Sequence, residues 1–240
     1  MSMSTARWLF GLSLLGFSLL TLSLAVGASV VATVDHHVLL WGYRATDGFP
    51  VRTAWWLAVA RYGAPLVLRL VILVLAIVEA TKRRWQVAAW LVGVDVAENL
   101  LAPAAKLLLT RPRPHWLHPI AVEHSLSFPS GHAAGAGMFV TVTVLLTRMT
   151  VSSRPLRLTV LALVTAVGVA ICLDRVLLGV HYLSDVVGGV LLGTLIATAG
   201  WQVLLRYRPD QVGASGPSPA RATEDGPEER GGIRREALGG

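Results

Sequence analysis

Six long apolar runs, at about residues 8–34, 64–80, 86–109, 132–147, 158–173 and 186–205, leave this chain little choice of fold. An α-helix rises ~1.5 Å per residue, so about 20 apolar residues cross the ~30 Å hydrocarbon core of a bilayer. Most of the runs reach that length once their flanks are included. A chain of 240 residues that is 54% hydrophobic and 15% charged is also too apolar for an ordinary soluble domain and too long for a single anchor. The expected class is all-α: a polytopic membrane protein whose residues 1–205 form six transmembrane helices.

The net charge of +7 could point to nucleic acid, but the cations sit in short loops between apolar runs, where they orient the chain instead. No nucleic-acid partner is expected; the partners are membrane lipids, and nothing in the sequence sets an oligomeric state. With the N-terminus inside, thirteen cations fall on the cytoplasmic side, among them Arg7, Lys82, Arg83, Arg84, Arg148, Arg154 and Arg157, and seven on the other. The positive-inside rule therefore places both termini in the cytoplasm of a cell bounded by a cytoplasmic (inner) membrane. The first run could instead be a cleaved signal peptide, but its 27 residues exceed the ~7–15 of a signal-peptide apolar region, and a signal anchor is expected. Cys172 is the single cysteine, so no internal disulfide can form.

Between the first two runs, residues 35–61 mix His36, His37, Trp41, Trp55 and Trp56 with Gly and Pro, as a segment at headgroup level does. His36 and His37 read as surface histidines, since no further ligand stands at metal-binding spacing nearby. Residues 206–240 are rich in Gly, Pro and charge without apolar periodicity, so a disordered cytoplasmic tail is expected.

Three polar stretches interrupt the apolar pattern: KLLLTRPRP at 106–114, PSGH at 129–132 and RVLLGVHYLSD at 175–185. Six spans place all three on the extracytoplasmic side together. His181 and Asp185 are spaced i to i+4 and share a face if that stretch is helical. An Asp accepting a proton from one ring nitrogen leaves the other unprotonated and aimed, as a nucleophilic histidine requires. In the second stretch, Pro129, Ser130 and Gly131 form a turn that delivers His132 at a helix start. There the free N–H groups and the Ser130 hydroxyl suit an anion, and a protonated His132 could donate to a departing oxygen. Lys106, Arg113 and Arg175 can each bind phosphoryl oxygens or merely snorkel to the interface. Lys106 stands out because the chain has 19 arginines and only one other lysine, Lys82. Small residues follow the second and third stretches, at 131, 133–137, 188, 189 and 193, and they let the fourth and sixth helices approach closely.

Read in order, Lys-x6-Arg-Pro, Pro-Ser-Gly-His and Arg-x5-His-x3-Asp closely resemble the signature of the type 2 phosphatidic acid phosphatase family, which also includes soluble vanadium haloperoxidases and acid phosphatases. The motif-bearing resemblance covers about residues 106–185. It implies a PAP2-like bundle in which His181 attacks phosphorus, Asp185 orients it and His132 protonates the leaving oxygen. It also implies that Lys106, Arg113, Ser130, the Gly131 N–H and Arg175 hold the phosphoryl group, with no metal and no cofactor. A membrane-embedded member is expected to hydrolyse a lipid phosphate or diphosphate at the outer interface. A phosphotransferase using the same intermediate, or a non-catalytic lipid-phosphate binding or transport protein, is the alternative. Where the family commonly has Ser before the third-motif Arg, this chain has Asp174, a carboxylate that would repel phosphate unless it is paired or turned away.

Three further charges, Arg69, Asp95 and Glu98, lie within apolar runs, where ionised groups are costly unless paired. Glu98 lies about 12 Å below the outer end of its span by helical rise, and Arg69 at similar depth in the neighbouring span, so an Arg69–Glu98 ion pair is expected, with Asp95 deeper.

Overall fold

The computed structural model describes residues 3–207. Among them the secondary structure is entirely helical: α1 (Met3–Ala25), α2 (Ser29–Thr46), α3 (Pro50–Tyr62), α4 (Pro65–Thr81), α5 (Trp85–Leu109), α6 (Gly131–Thr150), α7 (Arg154–Leu177) and α8 (Leu183–Tyr207). Five of these, α1 and α5 to α8, are each long and apolar enough to cross a membrane, and the number is six if α3 and α4, bent by 43° at their junction, are counted together as one broken span. Of the expected tail, residues 206–240, Arg206 and Tyr207 complete α8 and the rest lies outside the described residues.

The first apolar run is not one helix. It breaks at Gly27, whose φ of +66° is a left-handed conformation that glycine adopts without a Cβ penalty, and the Ala28 amide closes the turn onto the Ser23 carbonyl at 2.9 Å. The chain continues as α2, which packs on α7 and α8. Residues 35–61, expected as an interface segment, are thus mostly helical, in α2 and α3. A Cβ on Gly42 would stand 2.7 Å from the Val176 carbonyl oxygen, so α2 meets α7 backbone to side. His36 and His37 are exposed, as expected of surface residues.

At the centre of the bundle α6 packs against α8, with α7 on the other side of α6, α1 on α8, and α4 and α5 completing the ring. The core they share is built from Ile72 and Ala76 of α4, Leu91 and Val94 of α5, Met138, Val142 and Leu145 of α6, and Ile196 and Trp201 of α8. The reverse faces of α1 and α7 expose Leu12, Leu15, Leu19, Leu22, Leu156 and Leu163, the apolar coat that lipid demands. Arg69 and Glu98 form the expected ion pair at 3.5 Å, with the Glu98 side chain buried. At the other end of those helices, Glu79 is capped by Lys82 at 2.9 Å and Arg84 at 3.2 Å, which closes the α4–α5 turn.

All three polar stretches gather at the opposite end: the C-termini of α5 and α7, the N-termini of α6 and α8, and the loop over 110–130.

Candidate active site

The Arg175-x5-His181 spacing is produced by the end of α7. The Val180 and His181 amides both donate to the Arg175 carbonyl, at 3.1 and 3.2 Å, so the chain wraps tightly around the residue it must return to. Gly179 makes this turn with a φ of +69°, and a Cβ there would strike Trp116 Nε1 at 2.7 Å. Trp116 donates to the Gly179 carbonyl at 2.8 Å and stacks on Tyr43 of α2 at 3.8 Å, while the Tyr43 hydroxyl donates to His118 O at 2.6 Å. The loop and α2 therefore clamp the turn that presents His181.

His181 is 1% exposed. Its Nε2 lies 3.0 Å from Arg113 Nη1, and a guanidinium can only donate, so this nitrogen holds a lone pair and the ring proton sits on Nδ1. Nδ1 faces Asp185 Oδ2 at a long 3.4 Å. The same oxygen accepts from Ser127 Oγ at 2.5 Å and from the Tyr182 amide at 2.9 Å. Burial holds the His181 imidazole down at about 4; the hydrogen bond to Asp185 opposes that shift, and the Arg113 charge adds to it. The expected i to i+4 pairing of His181 and Asp185 is present, although His181 stands just before α8 and not within it.

His132 is the second residue of α6. Ser130 caps that helix, accepting from the Ala133 amide at 3.5 Å, and its own amide donates to the Asp185 carbonyl at 3.0 Å, which ties the PSGH turn to the start of α8. The first-turn N–H groups of Gly131 and His132 have no earlier carbonyl in their helix to bond, so they remain available to an anion. His132 Nδ1 is 3.4 Å from Arg175 Nη1. Lys106, half-buried at the end of α5, donates to the carbonyls of Leu126 at 2.5 Å and Pro129 at 3.1 Å, which leaves one ammonium proton unassigned. Arg113 is anchored through Nε to Ser125 O at 2.6 Å and through Nη1 to Val180 O at 2.9 Å.

Asp174, the departure from the expected pattern, is fully buried; its Oδ1 bonds Arg175 Nε directly, while its Oδ2 has no hydrogen-bond partner. The far side of the same guanidinium reaches Glu123 Oε1 at 3.2 Å. Every residue singled out from the sequence, His181, Asp185, His132, Ser130, Gly131, Lys106, Arg113 and Arg175, is brought to this one end of the bundle.

Five participants were missed. Arg111 bonds Asp185 Oδ1 at 2.7 Å and Asp35 Oδ2 at 2.8 Å. Ser127, Ser125 and Glu123 approach from a loop whose composition carries no periodic signal. Asp35 comes from α2, on a segment read as lying at headgroup level. The faint sequence signals were the first arginine of RPRP, Arg111, and an acid abutting an apolar run, Asp35.

A family model for the PAP2 superfamily matches residues 85–209, from the start of α5 past the end of α8. The chain belongs to the PAP2 superfamily. Among curated PAP2 relatives, phosphatidylglycerophosphatase B of Bacillus subtilis is 34% identical over 101 residues, which spans 41% of this chain and about half, 49%, of that protein. Decaprenylphosphoryl-5-phosphoribose phosphatase of Mycobacterium tuberculosis is 35% identical over 170 residues, 69% of this chain and 80% of that one. In fold the chain is similar to the crystal structure of a transmembrane PAP2 type phosphatidylglycerolphosphate phosphatase from Bacillus subtilis, with a TM-score of 0.67 at 23% identity over 81% of this chain and 94% of that one. LpxE of Aquifex aeolicus aligns with a TM-score of 0.55 at 22% identity over 70% of this chain and 94% of that one. The bundle is thus a membrane PAP2 fold.

Proposed function

We propose that this protein is a membrane phosphatase that hydrolyses a lipid phosphate through a phosphohistidine intermediate on the extracytoplasmic side of the cytoplasmic membrane. The observation that carries the proposal is the convergence of His181, its Asp185 partner and His132 with Lys106, Arg113 and Arg175 at one end of an apolar bundle. His181 Nε2 attacks phosphorus, the bond from phosphorus to the lipid oxygen breaks, and His132 gives that oxygen a proton. Water then attacks the phosphohistidine, passes a proton to His132, and frees inorganic phosphate and a neutral His181. Lys106, Arg113, Arg175 and the Gly131 N–H hold the oxygens on which charge accumulates, the neutralisation that a metal supplies in other phosphoryl-transfer enzymes. The side of the membrane follows from the cation distribution in the loops.

The substrate is a lipid because the site sits at the mouth of a membrane bundle, where a headgroup reaches the cations while its chains stay in the bilayer. The two curated relatives are named for a phosphatidylglycerophosphate and a polyprenyl-linked phosphosugar, and both supply candidates. The test is a phosphate-release screen of the purified protein over phosphatidate, phosphatidylglycerophosphate, a polyprenyl phosphosugar phosphate and a polyprenyl diphosphate. The expected result is phosphate released one for one with substrate consumed, undiminished by exhaustive chelation. Activity lost to chelation and restored by a divalent cation would overturn the metal-free mechanism; phosphate appearing on an added alcohol would make the protein a transferase.

The pH profile follows from the His181 environment. An ordinary histidine becomes half protonated near ~6.5, whereas His181 does so at about 4. The nucleophile is unprotonated above its pKa, so kcat/KM is expected to hold its plateau below pH 6 and to fall only as pH drops through about 4. A limb centred near 6.5 would show His181 to be solvated and would count against its role.

A further inference from the structure

Asp185 is 0% exposed, and both of its oxygens are committed. Oδ2 serves His181, Ser127 and the Tyr182 amide, while Oδ1 takes Arg111 Nη1 at 2.7 Å. Arg111 is in turn fixed by Asp35, itself 2% exposed, through Nη2 at 2.8 Å, and its plane lies 4.1 Å over the Tyr182 ring. Asp35 grips the start of α8 independently: it accepts the Ser184 amide at 2.8 Å and the Ser184 hydroxyl at 2.5 Å, and that hydroxyl also takes Arg111 Nη1 at 2.7 Å. Two buried carboxylates from distant parts of the chain thus share one guanidinium. Burying two acids around one cation is a poor way to stabilise a bundle, since apolar residues of similar volume often do as well or better. The fork geometry of arginine does something apolar packing cannot: it fixes the plane of the Asp185 carboxylate.

We propose that Asp35 and Arg111 are positioning residues for the His181 nucleophile, Asp35 acting through Arg111 and Ser184 to hold Asp185 Oδ2 against His181 Nδ1. Neither belongs to the set of groups proposed to hold the phosphoryl oxygens. Both act on the rate of the chemical step and not on substrate capture, which falls to Lys106, Arg113 and Arg175. The proposal rests on the phosphohistidine reading of the same site. It also gives α2 a function: after the break at Gly27 this helix packs on α7 and α8, so that Asp35 reaches the start of α8.

The experiment is a double-mutant cycle of Asp35→Asn and Arg111→Lys in the full chain, purified in detergent and assayed on dioctanoyl phosphatidate, with thermal stability measured alongside. Lysine keeps the charge but presents one point donor that cannot bond both carboxylates in the fork geometry. A displacement of about 1 Å at a reacting group can cost ~100-fold, so Arg111→Lys is expected to lower kcat by about that factor. Asp35→Asn is expected to lower kcat by about 10-fold, the range of orienting partners one shell removed, with KM changed by less than about twofold. Because one residue acts through the other, the double variant should be no slower than Arg111→Lys alone. An Asp35→Asn protein that melts earlier but keeps wild-type kcat would overturn the proposal, as would losses that multiply in the double variant or fall on KM. If Arg111→Lys does not insert, the kcat against KM split of Asp35→Asn decides alone. His181→Ala is run in parallel: activity surviving there refutes the phosphohistidine reading itself, whereas its loss beside an unaffected Asp35→Asn refutes only the positioning role.

Discussion

His181→Ala should release no measurable phosphate, a loss of at least about 10⁴-fold, while the protein still inserts, purifies and binds a lipid phosphate. The separation of binding from chemistry follows from the geometry. Arg113 is held by Ser125 and by the Val180 carbonyl, Lys106 by the Leu126 and Pro129 carbonyls, and Arg175 by Asp174 and Glu123. Of these cations only Arg113 touches the His181 ring, through Nη1 at 3.0 Å, and it keeps its bonds to Ser125 and Val180 without it, so the phosphate cradle outlives the nucleophile. The measurements are turnover and vanadate or phosphate displacement of a bound fluorescent lipid phosphate. Turnover within tenfold of wild type would rule His181 out as the nucleophile. Loss of binding together with turnover would show that the ring is structural.

Gly193→Leu is expected to disable the enzyme without touching a polar group. A Cβ at Gly193 would stand 2.0 Å from the Ala134 carbonyl oxygen and 2.6 Å from the Met138 amide, both main-chain atoms that no rotamer change can move. The helices α6 and α8 must part, and with them His132 on the first and Asp185 on the second, along with the 3.0 Å hydrogen bond from the Ser130 amide to the Asp185 carbonyl. A shift of about 1 Å between reacting groups costs ~100-fold, so at least that loss of kcat/KM is expected, together with overpacking destabilisation of about 1–3 kcal/mol or more. Gly93→Leu is the control: a Cβ there meets nothing within 4 Å, so activity should stay within about twofold. Equal activity of the two variants would show that the close crossing of α6 and α8 does not set the site.

The membrane class was legible because lipid imposes one rule on every residue of a span, and a local rule leaves a local signature. Four of the six spans were read within a few residues of their helices, and the Arg69–Glu98 pair followed from depth counted along two neighbouring helices. The first apolar run was read through Val34, past the end of α1 at Ala25, because an apolar composition is shared by a crossing helix and by the start of the helix that follows it. Only Gly27 marks the break, and its φ of +66° is a conformational fact rather than a compositional one.

The site divides along the same line. His181 and Asp185 belong to one short segment, as do Ser130 with His132 and Lys106 with Arg113, so local spacing revealed each group and their order suggested the whole. Asp35 pairs with Arg111 across 76 positions, and Ser127 with Asp185 across 58. Contacts at such separation follow no period, because they are set by where α2 and the 110–130 loop come to rest on the bundle. The sequence by itself determined a six-span PAP2 membrane protein and the groups that can do chemistry on phosphate. Only the tertiary structure decided which groups orient them, because an orienting contact depends on the relative placement of helices, and that placement is a property of the packed bundle as a whole.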